Sequence, residues 1–559
     1  MGAEGGITRE AGNCMRGSGR IRWGAGAVVL ALAVTACGGE TENQGSVDGG
    51  TFRFGLTEPA SIDPGLASET TGLIVSEVVF TGLYRVNPKG EMEPRLATAA
   101  DTNDDCTQWK FSVKSGTKFT NGEPVDAKAF VRGWNRSVNP ELASDVSYHL
   151  DGIVGYDQVR SGKSKRLSGL SAPDATTLRV KLAASDCEFD KKTAHTVFSP
   201  IPEVAETDGF KKFADLPIGN GPFKMAGKWE HNKKISLVRN DGYGLKKAKV
   251  GRVDISLLND QSMFDLEYQG FQTGLFDYAH IPPGQLRAAE AKYKSTGNWL
   301  TQDVNGMNYL LPITDQGPLK SKDARLAVSY AIDRKAITEG LYKGYQRPAS
   351  SIVPPALAKS YQDGLCASCL KTDAKKAKAH AKAAGLEPGD ELSIVFNTGV
   401  GHDQWIQAVA KQLEDTLGLK VKLQGKSFRE GLEAEQSASA TGMFRYSWGA
   451  DYPTPDNYLY PLLHSGSISK DKSGEVTGDN RSRYDNPAFD KLVDRARATK
   501  DEKRRVAMYK QAEKIAMDDM ALIPTFHRSE YRLVAKDKFD GLDALSFGET
   551  PYLEEISLK

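Results

Sequence analysis

The residues whose types and spacing could do chemistry are few. Cys366-Ala-Ser-Cys369 is the tightest such cluster. Two thiolates at this spacing can share a metal, and a cysteine at a helix N-terminus can act as a redox nucleophile. A zinc site would need two more ligands, and His380 is the one candidate nearby in sequence. The plain alternative is a small structural loop disulfide, which by elimination pairs Cys106 with Cys187; four cysteines allow three pairings. The eight histidines, at 149, 195, 231, 280, 380, 402, 464 and 527, are scattered. None makes a close metal-ligand pair, so each reads as surface or core, and neither a metal nor a cofactor is expected. There is no G-x-S-x-G elbow and no H-E-x-x-H pair. Gly155 to Ser164 ends in G-K-S, but Asp157 stands where the first Walker glycine belongs. The reading is a non-enzyme with no catalytic residues.

The first forty residues address the chain. Arg16, Arg20 and Arg22 precede Trp23 to Ala36, a short apolar run, and then comes Cys37. A positive segment, a short apolar run and small residues before a cut site describe an export signal, here residues 1–36. The run is too short for an ordinary transmembrane helix, which needs about 20 apolar residues. Val34-Thr35-Ala36-Cys37 resembles the lipobox of bacterial lipoproteins, whose cysteine thiol takes a diacylglyceryl group; an ordinary secretory signal is the alternative. Met15 reads as a more natural start than Met1. Residues 37–50, polar and Gly-rich, read as a lipid-attached tether. Export also permits disulfides.

The elements that must position any site are those of a mixed α/β protein. The 559 residues exceed the length of one domain, and 39% apolar with 26% charged residues rules out wholesale disorder. A net charge of +1 argues against a nucleic-acid partner. Without residues 1–36 the balance is 69 basic against 70 acidic side chains, so attachment to a membrane would rest on lipid rather than charge. Alternation marks strands around 111–113, 178–182, 235–239 and 253–258. A continuous apolar run at 392–396, a helix at 403–417 and a strand at 420–424, with Val421 and Leu423 on one face, form a βαβ unit with parallel strands. Asp403 and Gly418 punctuate that helix. A second helix is expected from Asp323 to Glu339, burying Leu326, Tyr330 and Ile337, and a solvated one over 371–384.

Five blocks, in order, resemble the oligopeptide- and dipeptide-type substrate-binding proteins of bacterial ABC importers. They are Val78 to Ala97, Trp109 to Pro140 with F-T-N-G-E-P-V-D-A, Ile218 to Phe223, Arg325 to Arg334, and Phe444 to Asp456, F-R-Y-S-W-G-A-D-Y-P-T-P-D. The resemblance implies a periplasmic-binding-protein-like fold, two α/β lobes closing over a cleft plus a smaller third domain. Domain I would comprise 50–85, 217–303 and 527–559, domain II 86–216 and domain III 304–526. It also implies a monomer on the extracytoplasmic face of the cell membrane, handing short peptides to the importer's permease.

A cleft that binds peptides of many sequences must grip what they share. Their backbone can add to a strand edge, and their α-ammonium asks for a carboxylate. In the resembling motif, Trp448-Gly449-Ala450-Asp451-Tyr452, Asp451 is the implied amine ligand, against an aspartate that merely caps the turn before Pro453. Arg445 would pair with the peptide carboxylate, or point to solvent. Tyr446, Trp448 and Tyr452 would line the cleft. Other peptide binders carry a bridged cysteine where this chain has Gly449. The same fold also serves glycans, nickel chelates and other small solutes, so the ligand stays open. An exported hydrolase lacks a nucleophile here, and an adhesion module would show repeats.

Overall fold

The computed structural model describes residues 48–207, 211–258, 262–398, 401–470, 474–476, 478–547 and 550–559. The export signal, Cys37 and most of the expected tether lie outside them. The tether's last residues, Asp48 to Gly50, are described, and they are docked: Arg239 holds the Asp48 carboxylate at 2.7 Å, and the Gly50 carbonyl accepts from the backbone of Gly251 and Arg252.

Three large hydrophobic cores organise the chain. The first contains Phe52, Phe54, Phe223 and Val253 under a sheet in which Thr51–Thr57 runs parallel to Arg252–Leu258. Lys234–Arg239 and Phe223–Met225 continue that sheet antiparallel. The second gathers Phe111, Phe130, Trp134, Leu178 and Phe198 against the antiparallel sheet of Ala97–Thr102, Gln108–Val113, Thr177–Lys181 and Leu170–Ser171. Helix Ala127–Val138 covers it. Asp126 caps this helix by accepting from the Ala129 N–H, and Trp134, fully buried, donates its indole N–H to the Phe198 carbonyl at 2.7 Å.

The third and largest core lies on a mixed sheet of order Tyr278–His280, Ile523–Val534, Trp299–Pro312, Met443–Gly449, Glu391–Asn397 and Lys420–Lys426. The expected βαβ unit is there. Glu391–Asn397 and Lys420–Lys426 pair in parallel, and helix Asp403–Leu417 between them buries Ile406, Val409, Leu413 and Leu417 before Gly418 turns left-handed at φ 73°. The last strand is an edge, however. Leu423 is 37% exposed rather than buried, and Lys420, Lys422 and Lys426 keep that edge solvated.

One expected helix is two. Lys322–Ala331 ends at Ile332, and Arg334–Gly340 starts anew. Asp333 interrupts it, its carboxylate capping the second helix through the Ala336 N–H at 2.8 Å. The break seats Arg334, fully buried, on the carbonyls of Pro524 and Ser329; Leu326 is only half-buried. The solvated helix begins at Ala374, capped by Asp373, rather than at Lys371.

Two strands pass between cores. Leu300 and Val304 belong to the first core, while Met307 to Leu311 of the same strand belong to the largest. The partner strand Ile523–Val534 does likewise, and the register between them shifts between Asp303 and Met307.

Candidate functional site

A cavity of about 1130 Å³ opens where the three cores meet. Ile74 and Glu77 line it from the first core's side, His149 and His195 from the second, and the run Arg445 to Tyr452 from the third. That run lines it with consecutive residues because it presents an edge. Strand Met443–Gly449 is paired along one side with Trp299–Pro312 as far as Gly449. Along its other side the ladder to Glu391–Asn397 stops at Phe444. From Arg445 onward no described strand covers that edge.

Asp451 sits just beyond the strand. Its backbone N–H donates to the Asn457 Oδ1 at 2.9 Å, and its carboxylate accepts from the Asn457 Nδ2 at 3.2 Å. Asn457 also accepts the Trp448 indole N–H at 3.1 Å, so one buried amide sets both the tryptophan and the carboxylate. Asp451 keeps 21% of its side-chain surface open. Crowding nevertheless desolvates its carboxyl and pushes it up to about 7, with the nearby Asp479 adding to the rise. Among the described residues no lysine or arginine pairs with it; the nearest base is His149, 3.9 Å away.

Arg445 stands at the other end of the edge. It donates to the side-chain carbonyls of Asn308 at 2.6 Å and Asn397 at 3.2 Å, and no described carboxylate reaches it. Burial, with Arg528 beside it, lowers its guanidinium to about 9, still cationic at neutral pH. Tyr446 is half-buried, its hydroxyl donating to Glu435 at 2.9 Å and accepting from Arg481. Trp448 is a half-buried wall of the cavity.

Tyr452 lines the cavity with little of its surface open. It is buried to 3%, and its hydroxyl is spent on Asp456 at 3.1 Å. Asp456 belongs to an ion network that ties the second core's flank to the third. Lys192 bridges Asp186 at 2.6 Å and Asp456 at 3.3 Å, and Arg497 reaches the same two carboxylates. Arg505 and Tyr509 hold Glu188 at 3.1 Å each. The Cys106–Cys187 disulfide anchors this segment, and the Cys187 N–H donates to the Arg497 carbonyl at 2.7 Å. Cys366 and Cys369 are bonded to each other. His380 is occupied elsewhere, on Asp323 at 2.7 Å.

Sequence reasoning missed three features. Asn457 carries no motif signal. The ion network joins residues more than 250 positions apart. The third is a contact between scattered histidines: His149 and His195 stack with ring centroids 4.3 Å apart, although 46 positions separate them in the chain. Only the fold brings them together.

Mixed α/β structure with three cores meeting around one large cavity is the architecture of a solute-binding protein of the periplasmic-binding kind. The comparisons make the class specific. A profile of the bacterial extracellular solute-binding proteins, family 5 middle region, matches residues 91–470, and the chain belongs to that family. It is 30% identical over 524 residues, 89% of this chain and 92% of the other, to the oligopeptide-binding protein OppA of Bacillus subtilis. The structure of the Escherichia coli murein tripeptide binding protein MppA superposes with a TM-score of 0.77 at 27% identity, covering 91% of this chain and 98% of that one. Listeria monocytogenes OppA bound to peptide gives 0.70 at 25% identity, covering 91% and 99%. Among the described residues no helix is long and apolar enough to cross a membrane.

Proposed function

We propose that this protein captures short peptides in the cleft and delivers them to the permease of an ABC importer, held to the extracytoplasmic face of the cell membrane by lipid on Cys37. One observation carries the peptide reading. The open edge of residues 445–449 is flanked by a cation, Arg445, and a carboxyl group, Asp451, that have no carboxylate or ammonium partner among the described residues. An extended peptide supplies what each lacks: backbone N–H and C=O groups for the edge, an ammonium for Asp451 and a carboxylate for Arg445. The relatives named for oligopeptide and murein-tripeptide binding support the same class of ligand. Three domains, 50–85 with 217–303 and 527–559, 86–216, and 304–526, complete the reading; the three cores support it in outline, although Ile201, Ala205 and Phe213 pack in the first core and Leu83 in the second.

Native mass spectrometry of the protein as purified, followed by a melting screen against peptide mixtures, free amino acids and oligosaccharides, tests the ligand. Peptide adducts and a peptide-dependent shift are expected; a shift with sugars alone would sink the proposal. For the anchor, Cys37→Ser should release the protein from the membrane fraction, and unchanged membrane retention would remove the lipid assignment.

A further inference from the structure

His149 and His195 stand on the second core's side of the cleft, Asp451 on the third's, and one ligand atom from each lies within 4.8 Å of the other two. We propose that these three side chains form a divalent transition-metal site, of the zinc or nickel kind, at the amine end of the cleft. The inference rests on the assignment of that end to Asp451.

The histidines are built for a ligand rather than for the core. His149 is 8% exposed and His195 7%, and both line the cavity. Neither ring nitrogen of His149 has a hydrogen-bond partner among the described residues, yet its Nε2 points to the Asp451 carboxylate at 3.9 Å. Both rings line the cavity, where a ligand can reach this imidazole. Two imidazoles and a carboxylate are the donor set such ions take, with a fourth position left for water or ligand.

Two adjustments are required. Zinc bonds of about 2.0–2.1 Å place tetrahedral donors about 3.3 Å apart, so the flanks must draw together. His195 Nδ1 accepts the Val197 N–H at 3.2 Å, which puts its proton on Nε2. Ligation through Nε2 moves that proton to Nδ1 and gives up the one cap bond, while three metal bonds form. Asp151, which feels Lys192 and Arg497, and Asp479, which pairs with Arg481 at 3.7 Å, line the same cavity. A dication and a peptide ammonium need the same carboxylate and repel one another, so metal and free-amine peptide compete.

Titration calorimetry of the chelator-treated full chain with zinc chloride tests this. One equivalent should bind, and His149→Gln and His195→Gln, which keep a polar side chain of similar reach, should each weaken it at least tenfold with unchanged circular dichroism. X-ray absorption should show two imidazoles on the zinc. Zinc should also raise the apparent Kd of a free-amine tripeptide in the wild type and not in His149→Gln. No stoichiometric binding, or binding that survives both substitutions, overturns the site. Peptide binding measured with chelator present separates the two readings: its loss would break the peptide assignment, while its persistence without zinc binding would break only this one.

Discussion

At the scale of single residues, the cleft is defined by what its charges do not touch. Asp451 is held by an amide, Asn457, which fixes position without neutralising charge. A ligand ammonium would lose much of its hydration here, and an uncompensated buried charge is costly. Asp451→Asn keeps shape while removing that compensation, and truncating one partner of a buried charged pair typically costs about 2–5 kcal/mol. Affinity for a free tripeptide should therefore fall well over tenfold. N-acetylating the peptide should weaken wild-type binding comparably and cost the mutant much less. Calorimetry of the four combinations gives the coupling; equal losses in both proteins would show that Asp451 does not read the amine. The residue was legible because a contiguous motif carries it. Asn457 and the histidine pair were not, because their roles arise from contacts that no local pattern encodes.

At the scale of elements, buried polar groups decide how segments dock. Helix Glu502–Asp518 presents Glu513, 1% exposed, to the turn at Ile352 and Val353, whose N–H groups it accepts at 2.8 and 2.9 Å. Burial dominates those bonds and pushes its carboxyl from 4.5 up to about 7. The native state thus holds a proton there that the unfolded chain releases between those values. Its contribution to stability is full below pH 4.5 and is lost as pH rises through 7. Glu513→Gln retains the acceptor without the ionisation. Its stability should depend less on pH between 5 and 8 and exceed wild type at pH 8 by about 1–3 kcal/mol; parallel urea titrations at the two pH values would show it, and curves that stay parallel would contradict it.

The ion network supplies a second test at this scale. Arg497 serves both Asp186 and Asp456, so Arg497→Met leaves Lys192 as the one cation, among the described residues, on two buried carboxylates. Breaking such a network is expected to cost roughly 3–5 kcal/mol. A melting temperature within a degree of wild type would show that the network is not holding the two flanks. Periodicity located most of these elements, including the βαβ unit and its Gly418 stop. It failed at Asp333, where a side chain competes with the helix for the same N–H.

For the whole molecule, connectivity governs motion. The third core is joined to the first by strands Trp299–Pro312 and Ile523–Val534, whose register shifts between Asp303 and Met307, and Asn305 within that shift donates to the carbonyls of Ala450 and Phe547. A break in a paired ladder is where two packed bodies can rotate without disturbing either core. The family resemblance implied three domains, but it did not mark this seam, since an irregular register leaves no compositional trace. If the bodies close on ligand, binding selects the closed form and stabilises the fold by mass action, by roughly 2.7 kcal/mol at a hundredfold excess over Kd. Small-angle scattering should then report a smaller radius of gyration with peptide than without, and the melting temperature should climb with peptide concentration. Asp451→Asn should need proportionately more peptide to reach the same radius, because the amine contact supplies part of the difference in affinity between the two states. A radius unchanged by saturating peptide, with the melting shift intact, would mean that ligand binds a cleft already closed and that the seam between Asp303 and Met307 is not a hinge.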